Sequence, residues 1–90
     1  MARKEPRATP AMLSEHWPDR ASVDAAGEAA RRFAVNLNTA IDGRSVRSVA
    51  RDAGITEGTI RRILSGDSWP DLRTISRLES ALGVPLYTRG

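Results

Sequence analysis

Apolar residues in the first half of the chain recur every three or four positions. These residues are Ala26, Ala30, Phe33, Leu37 and Ile41. Positions spaced in this way lie on one face of an α-helix. Ser22, which precedes them, can accept a hydrogen bond from a backbone amide that has no partner in the helix. The pattern therefore predicts a helix of about twenty residues that Ser22 caps and that ends near Asp42 and Gly43.

Two shorter helices are predicted in the next part of the chain. Ser45 caps the first, which ends at Gly54, and Thr56 caps the second, which ends at Ser65 and Gly66. Their inward-facing residues are Val46, Val49, Ala50 and Ala53, followed by Ile60, Ile63 and Leu64. The Gly-Ile-Thr sequence that joins them is too short for antiparallel packing, so the two helices must cross at a steep angle. This is the geometry of a helix-turn-helix unit, expected over about residues 45–65.

A fourth helix is predicted after Pro70, with Asp71 as its N-cap and Gly83 as its end. Its apolar stripe consists of Leu72, Ile75, Leu78 and Leu82. No stretch of the sequence alternates apolar and polar residues as a half-buried strand does. We therefore expect an all-α domain over residues 22–88.

Residues 1–21 lack a regular apolar pattern. Pro6, Pro10 and Pro18 interrupt them and their charges are scattered, as in segments that bury too little apolar surface to fold. We expect a flexible N-terminal arm. Within it, the sequence Met-Leu-Ser-Glu-His-Trp is the piece best suited to form one helical turn against the core, with Trp17 as its anchor.

The net charge of +3 lies in the second half of the chain. Residues 1–42 contain six basic and six acidic residues, whereas residues 43–90 contain eight basic and five acidic ones. A local excess of this sign attracts phosphate backbones, although a solvated helix face carries similar charge in many domains. The charge alone does not separate these two interpretations.

Several classes of function have no support in the sequence. The chain has no cysteine, which excludes a disulfide framework, a zinc ribbon and a thiol nucleophile. It shows no paired carboxylates, metal-ligand spacing or Ser-His-Asp set, so we expect neither an enzyme nor a cofactor. No segment has the length and apolar character of a signal peptide or membrane span, so the expected location is the cytoplasm.

The stretch SVRSVARDAGITEGTIRRILSGDSWPDLRTISRLESALGV resembles the DNA-binding domain of the Xre and lambda-repressor-like (Cro/C1-type) regulators. The matching features are Ala50 in the second helix, the turn Gly54-Ile55-Thr56, the β-branched Ile60, and Ala-Leu-Gly-Val at 81–84. The resemblance covers roughly residues 33–87. It implies a compact four- to five-helix lambda-repressor-like domain, with double-stranded DNA as the partner and binding to the nucleoid.

The resemblance also implies which residues meet the DNA bases, because such domains insert the N-terminal half of the third helix into the major groove. The expected base-reading residues are Thr56, Glu57, Gly58, Thr59, Arg61 and Arg62. Arg62 is the favoured reader, since arginine can donate two parallel hydrogen bonds to guanine. Gly58 disfavours a helix, which is explained if the backbone there approaches a base edge. Glu57 either accepts a hydrogen bond from cytosine while Arg61 holds a phosphate, or simply pairs with Arg61 one turn later.

A second set of residues is expected to bind the phosphate backbone. Arg44, Ser45 and Arg47 lie at the N-terminus of the second helix, where the backbone amides and the helix dipole favour an anion. Ser65 and Ser68, in and after the last turn of the third helix, are expected to do the same. Trp69 is expected to pack as a lid over the core beside Pro70 rather than to contact DNA.

Three functions fit these features. The favoured one is a sequence-specific regulator, a repressor of its own operon or of a mobile element. The second is an antitoxin whose arm folds onto a toxin while the domain regulates the operon. The third is a DNA-bending accessory factor of a recombinase.

The oligomeric state stays open in the sequence. After Ala-Leu-Gly-Val only Pro-Leu-Tyr-Thr-Arg-Gly follows, where related repressors carry a fifth helix for dimerisation. Three arrangements are compatible with this ending: a homodimer that forms on a palindromic operator, a dimer made through the N-terminal arm, and a monomer.

Overall fold

The computed structural model describes residues 8–88. Within this range the chain forms one 3₁₀ turn, Ala11–Leu13, and four α-helices and no strand. The helices are α1 (Ala25–Ile41), α2 (Val46–Ala53), α3 (Glu57–Leu64) and α4 (Leu72–Leu82). The predicted all-α architecture is confirmed. None of the described helices is long and apolar enough to cross a membrane.

The caps of the last three helices are those that the sequence predicts. The side chains of Ser45, Thr56 and Asp71 accept hydrogen bonds from backbone amides three residues later, at 3.0, 3.1 and 2.8 Å. Gly54 ends α2 with φ of 72°, a left-handed conformation that only glycine adopts without strain. Local hydrogen bonding therefore sets the length of α2 and the start of α3.

The predicted cap of α1 is wrong. Asp24 is the N-cap, with its Oδ2 accepting from Gly27 N at 2.8 Å, and the helix has 17 residues rather than about twenty. Ser22 instead donates from its hydroxyl to Leu13 O, which draws the preceding segment over Gly27. A methyl group at Gly27 would lie only 3.1 Å from Leu13 Cβ. This segment covers the side of the helix on which Gly27 lies. Ala26, which was expected on the inward face, lies on the neighbouring side and is exposed.

The core is formed where α3 packs against α1 and α2, and where α4 packs against α2. Its buried residues come from all four helices and the C-terminal segment: Phe33, Leu37, Ile41, Val49, Ala50, Ala53, Ile60, Ile63, Leu78 and Leu86. Leu72, predicted to belong to the core, is 84% exposed. It lies about 120° around α4 from the buried Leu78, whereas Ile75 and Leu82 lie closer to Leu78 and pack against the core.

The C-terminal segment after α4 folds back onto the domain. Leu86 is 1% exposed, and its carbonyl oxygen accepts a hydrogen bond from Asn36 Nδ2 in α1 at 2.9 Å. Its backbone amide and that of Tyr87 both donate to Glu79 Oε2. These two bonds lower the pKa of Glu79, with the Tyr87 amide as the larger cause. The segment therefore joins α1 to α4.

Residues 8–22, which we name the strap, lie against the end of α3 and the loop that follows it. Ala11 N donates to Gly66 O at 2.9 Å, and Trp17 Nε1 donates to Leu64 O at 2.9 Å. A methyl group at Gly66 would lie 2.7 Å from the Trp17 indole, so a glycine is needed there. The 3₁₀ turn at Ala11–Leu13 overlaps only the first two residues of the predicted piece Met-Leu-Ser-Glu-His-Trp, whereas the Trp17 contact agrees with the sequence analysis. A flexible arm over residues 1–21 stays a prediction, and residues 1–7 of it lie outside the described range.

A carboxylate fastens the strap to α1. Glu28 accepts hydrogen bonds from Arg31, from Arg32 and from the backbone amide of Ser22, at 2.7 to 3.0 Å. Arg31 also donates to Pro18 O in the strap at 3.0 Å. These bonds, with that from Arg31 the strongest, lower the pKa of Glu28 to about 2. The group holds the start of α1 and the strap in one arrangement.

Candidate nucleic-acid interface

The short helix α3 has one face packed against the core and one open face. Ile60 and Ile63 are 0% and 2% exposed and hold the helix against α1 and α2. Arg61 and Arg62 lie on the opposite side and are exposed. The predicted division of this helix into inward and outward residues is confirmed, and the open face presents two cations to the surroundings.

Two threonines mark the start of α3. Thr56 Oγ1 accepts a hydrogen bond from Thr59 N, and the hydroxyl oxygens of the two residues are 2.9 Å apart. One of the two hydroxyl hydrogens is sufficient for this contact. The other hydrogen is available to a ligand at the N-terminal end of the helix.

Glu57 of α3 pairs with two arginines, and one of them, Arg47, joins α3 to α2. Its Oε2 lies 3.1 Å from Arg47 Nε in the first turn of α2, and its Oε1 lies 3.3 Å from Arg61 Nη2. These hydrogen bonds, above all that from Arg47, lower the pKa of the Glu57 carboxyl. The predicted pairing of Glu57 with Arg61 is present, and Arg47 is an additional partner that the helical spacing did not indicate. Arg47 and Arg61 are 82% and 64% exposed, so both guanidinium groups are accessible from outside.

Arg62 differs from both of these arginines. It forms no ion pair with any residue in the range 8–88. Its guanidinium lies over Gly58, since a methyl group placed at Gly58 would be 3.1 Å from Arg62 Nη1 and 3.9 Å from its Cζ. The positive charge of Arg62 therefore lies beside the N-terminal half of α3, near Thr56.

Arg44 lies apart from the Arg47 and Glu57 group. Its Nη2 donates to Ser48 Oγ and to Asp52 Oδ2. These two residues lie at least about 100° around α2 from Arg47, which faces α3. Arg44 would have to leave the Asp52 carboxylate to bind a phosphate together with Arg47. Ser45 lies between Arg44 and Arg47 in the sequence, and its hydroxyl oxygen accepts the hydrogen bond that caps α2.

The two serines expected to bind phosphate after α3 have different surroundings. Ser65 Oγ donates to Asp67 Oδ2 at 3.0 Å, so a carboxylate lies beside it and would repel an anion. Ser68 is half-buried in the loop. Trp69 is 39% exposed, and its indole N–H donates to Ala8 O in the strap at 3.0 Å. This contact joins Trp69 to the strap, and Trp69 is not among the residues that pack against the core, so the expected lid over the core is not observed.

Two further arginines near the turn between α2 and α3 were not among the predicted site residues. Arg51 lies one helical turn after Arg47 on the same flank of α2 and is 73% exposed; its spacing of four residues from Arg47 was the available signal. Arg77 of α4 donates from Nη1 to Gly54 O at 3.2 Å, a contact between residues 23 apart in sequence that no local pattern indicates. Both add positive charge around the turn between α2 and α3.

The described residues contain no group of three or more His, Cys, Asp or Glu side chains placed to hold a metal ion. Besides the Glu57 carboxylate, the open face of α3 presents three kinds of hydrogen-bond donor: guanidinium groups, hydroxyl groups and backbone amides. These groups donate hydrogen bonds to phosphate oxygens and to the acceptor atoms at the edges of bases.

The comparison with known proteins agrees with this geometry. No curated protein matches the chain. The sequence model of the family HTH_3, described as helix-turn-helix, matches residues 42–88, which is more than half of the chain. This range contains α2, α3, α4 and the segment that folds back after them. The chain belongs to the HTH_3 family of Cro/C1-type, Xre-like helix-turn-helix DNA-binding domains.

Proposed function

We propose that this protein is a sequence-specific regulator of transcription, and specifically a repressor, that binds double-stranded DNA with α3 in the major groove. Membership of the DNA-binding family supports the choice of ligand. The observation that carries the proposal is the construction of α3, in which Ile60 and Ile63 are buried while the other face presents Arg61 and Arg62. Arg47 of α2 lies next to this face through Glu57. A regulator of this kind acts at the nucleoid, in the cytoplasm.

Base reading is assigned to the N-terminal half of α3. Thr56, Gly58 and Thr59 approach the base edges, and Arg62 donates two hydrogen bonds to the N7 and O6 atoms of a guanine. Such a bidentate contact contributes about 1 to 3 kcal/mol of discrimination against other bases. The absence of a carboxylate partner for Arg62 among the described residues supports this choice, because its guanidinium can meet a base without first breaking an ion pair.

Phosphate binding is assigned chiefly to Arg47 and Arg61. Their shared contact with Glu57 holds both cations at the junction of α2 and α3, so we assign Glu57 to this junction rather than to a cytosine. Arg44, Ser45, Ser65 and Ser68 stay proposed backbone contacts. A phosphate would have to compete with the carboxylates of Asp52 and Asp67 for Arg44 and Ser65. We therefore expect these two residues to contribute less than Arg47.

Repression follows from occupancy of the DNA. A domain that fills the major groove at an operator prevents RNA polymerase from contacting the same base pairs. This role requires binding and no catalytic step, in keeping with a family whose members typically have no catalytic activity.

The antitoxin alternative has less support than the repressor. It requires the arm over residues 1–21 to fold onto a toxin, but residues 8–21 already form hydrogen bonds with the domain through Ala8, Ala11 and Trp17. Copurification of a small protein with the full chain, and loss of this partner when residues 1–7 are removed, would favour the antitoxin.

The test is selection of bound sites from random double-stranded DNA, followed by titration of the selected site at several salt concentrations. We expect one site to be enriched, with an affinity at least about 10³ times that for random DNA and a steep fall with salt. Equal affinity for all sequences would contradict the proposal. Two symmetric half-sites about one helical turn apart would show a dimer on DNA, and a single asymmetric site would show a monomer.

A further inference from the structure

Gly58 is a glycine that the backbone of α3 does not require. Four other glycines of the described chain, at positions 43, 54, 66 and 83, have positive φ angles, and Gly58 is not among them. In the interior of a helix, glycine is the least favourable residue after proline. Gly58 is the second residue of α3, a helix of eight residues; in this first turn the cost is smaller than in the interior, but the backbone gives no reason of its own for a glycine.

The space beside Gly58 contains the guanidinium of Arg62. A methyl group at Gly58 would lie 3.1 Å from Arg62 Nη1, which is closer than ordinary van der Waals contact, and 3.8 Å from Thr56 Oγ1. Side chains of a helix lean toward its N-terminus, so the residue at position i+4 covers position i. Because Gly58 has no side chain, the Arg62 guanidinium can lie against the backbone one helical turn before Arg62 itself.

The position of the Arg62 guanidinium beside Gly58 distinguishes Arg62 from Arg47 and Arg61, which pair with a carboxylate at the junction between α2 and α3. Arg47 and Arg61 share the Glu57 carboxylate, whereas Arg62 has no such partner among residues 8–88. An arginine without a fixed position loses rotamer freedom when it binds, and a group that is held in the bound conformation beforehand avoids part of this loss.

We propose that Gly58 is a positioning residue for specificity. It acts through Arg62, because the missing side chain leaves room for the guanidinium against the N-terminal half of α3, the half to which base reading is assigned. The proposal rests on the function proposed above. It gives a reason for a glycine at this position that does not require the Gly58 backbone itself to contact a base.

A double-mutant cycle on DNA tests the proposal. Four proteins are compared: the natural chain, Gly58→Ala, Arg62→Ala and the double variant. Each is titrated with the selected site and with variants of it changed at single base pairs. We expect Arg62→Ala to lose about tenfold or more in preference at one base pair, and Gly58→Ala to lose several-fold at that same base pair. In the Arg62→Ala background, Gly58→Ala should change nothing further.

The cycle separates the two proposals. If the natural chain shows no preference for any base pair, the proposed function itself fails. If the natural chain is selective and Gly58→Ala keeps its full preference, only the role of Gly58 is wrong. An equal loss from Gly58→Ala with and without Arg62 would assign the effect to contact between the Gly58 backbone and DNA, and would also overturn the positioning role.

A control and a second measurement exclude a general effect of stability. Gly58→Ala should make α3 a better helix, so Asn38→Ala, at an exposed position of α1, is the matched change that raises helix preference away from DNA. Asn38→Ala should leave base preference unchanged. In the free protein, nuclear Overhauser contacts between the Gly58 Hα atoms and the Arg62 side chain should be present, and their absence would contradict the proposed position of the guanidinium.

Discussion

Two groups in this domain have the same composition, one glutamate and two arginines, but different surroundings. Glu28 binds Arg31 and Arg32 at the start of α1, and Glu57 binds Arg47 and Arg61 at the junction of α2 and α3. The Glu28 side chain is 19% exposed and that of Arg31 is 18% exposed, whereas the Glu57 side chain is 36% exposed and that of Arg47 is 82% exposed. The first group is sheltered by the strap and the second is open to solvent.

The difference shows how burial decides the role of an ion pair. Glu28 also accepts a hydrogen bond from the Ser22 backbone amide, and Arg31 also donates to Pro18 O, so the first group forms a closed network that stabilises the fold. The arginines around Glu57 have no such additional bonds among the described residues. In water, exposed ion pairs contribute little to stability, and the same arginines can therefore exchange Glu57 for a phosphate with little loss.

The largest effect is expected from Glu28→Gln. Removing the charge that two arginines share, one of them largely buried, should lower the free energy of unfolding by about 2 to 3 kcal/mol. Urea denaturation monitored by tryptophan fluorescence measures it. Glu15→Gln, which removes the partner of the exposed Arg20, is the control and should cost about 0.5 kcal/mol or less. Equal effects of the two variants would show that the Glu28 group is not a closed network.

The pH dependence of stability should identify the same group. Because the folded pKa of Glu28 is about 2, below its ordinary value, its contribution is fully present above pH 4.5 and is lost as the pH falls toward 2. The difference in unfolding free energy between the natural chain and Glu28→Gln should be largest near neutral pH and should shrink toward pH 2. A difference that stays constant over this range would contradict the lowered pKa.

A smaller effect, on DNA binding alone, is expected from Arg47→Ala. Loss of one phosphate contact should weaken binding to all sequences alike, by up to about tenfold, and should reduce the salt slope by about one. Fluorescence anisotropy at several salt concentrations measures both. Arg20→Ala removes an equal charge from the strap and should leave the salt slope unchanged; if it reduced the slope as much as Arg47→Ala does, the phosphate contact would not be specific to the junction.

The smallest effect on stability is expected from Glu57→Gln. The denaturation midpoint should stay the same, because the carboxylate is exposed and its partners are accessible. Affinity for all DNA sequences should rise, since a negative charge beside the phosphates is removed. A change of preference at a single base pair would instead show that Glu57 reads a base, which is the alternative that the sequence left open.

Most of the helical framework could be predicted from the sequence because its signals are local. Ser45, Thr56 and Asp71 each cap a helix through an amide three residues later, and the glycines at 54 and 83 end α2 and α4 with positive φ angles. The wrong prediction of the α1 cap has a non-local cause. Ser22 would have been an adequate cap, but its hydroxyl binds Leu13 O in the strap, and Asp24 caps α1 instead.

One contact of the candidate site could be predicted from the sequence, whereas its arrangement in space could be predicted much less. The spacing of Glu57 and Arg61 indicates their contact, because residues four apart are neighbours on a helix. Nothing in the spacing indicates that Arg47 joins them from α2, or that Arg44 turns to Asp52 on another flank of the same helix. The contact between Arg47 and Glu57 depends on how α2 packs against α3, and that packing is set by the core rather than by any one segment.

The sequence by itself thus determined the helices of the DNA-binding domain, the order of their caps and stops, and the buried face of α3, because each depends on residues within about one or two turns of each other. The tertiary structure decided which arginines are held and which are available. Burial beneath the strap closes the group around Glu28, while exposure at the junction leaves Arg47, Arg61 and Arg62 accessible. The physical reason is that the solvent exposure of a charge is set by segments distant in sequence, and exposure determines whether that charge stabilises the fold or is accessible to a ligand.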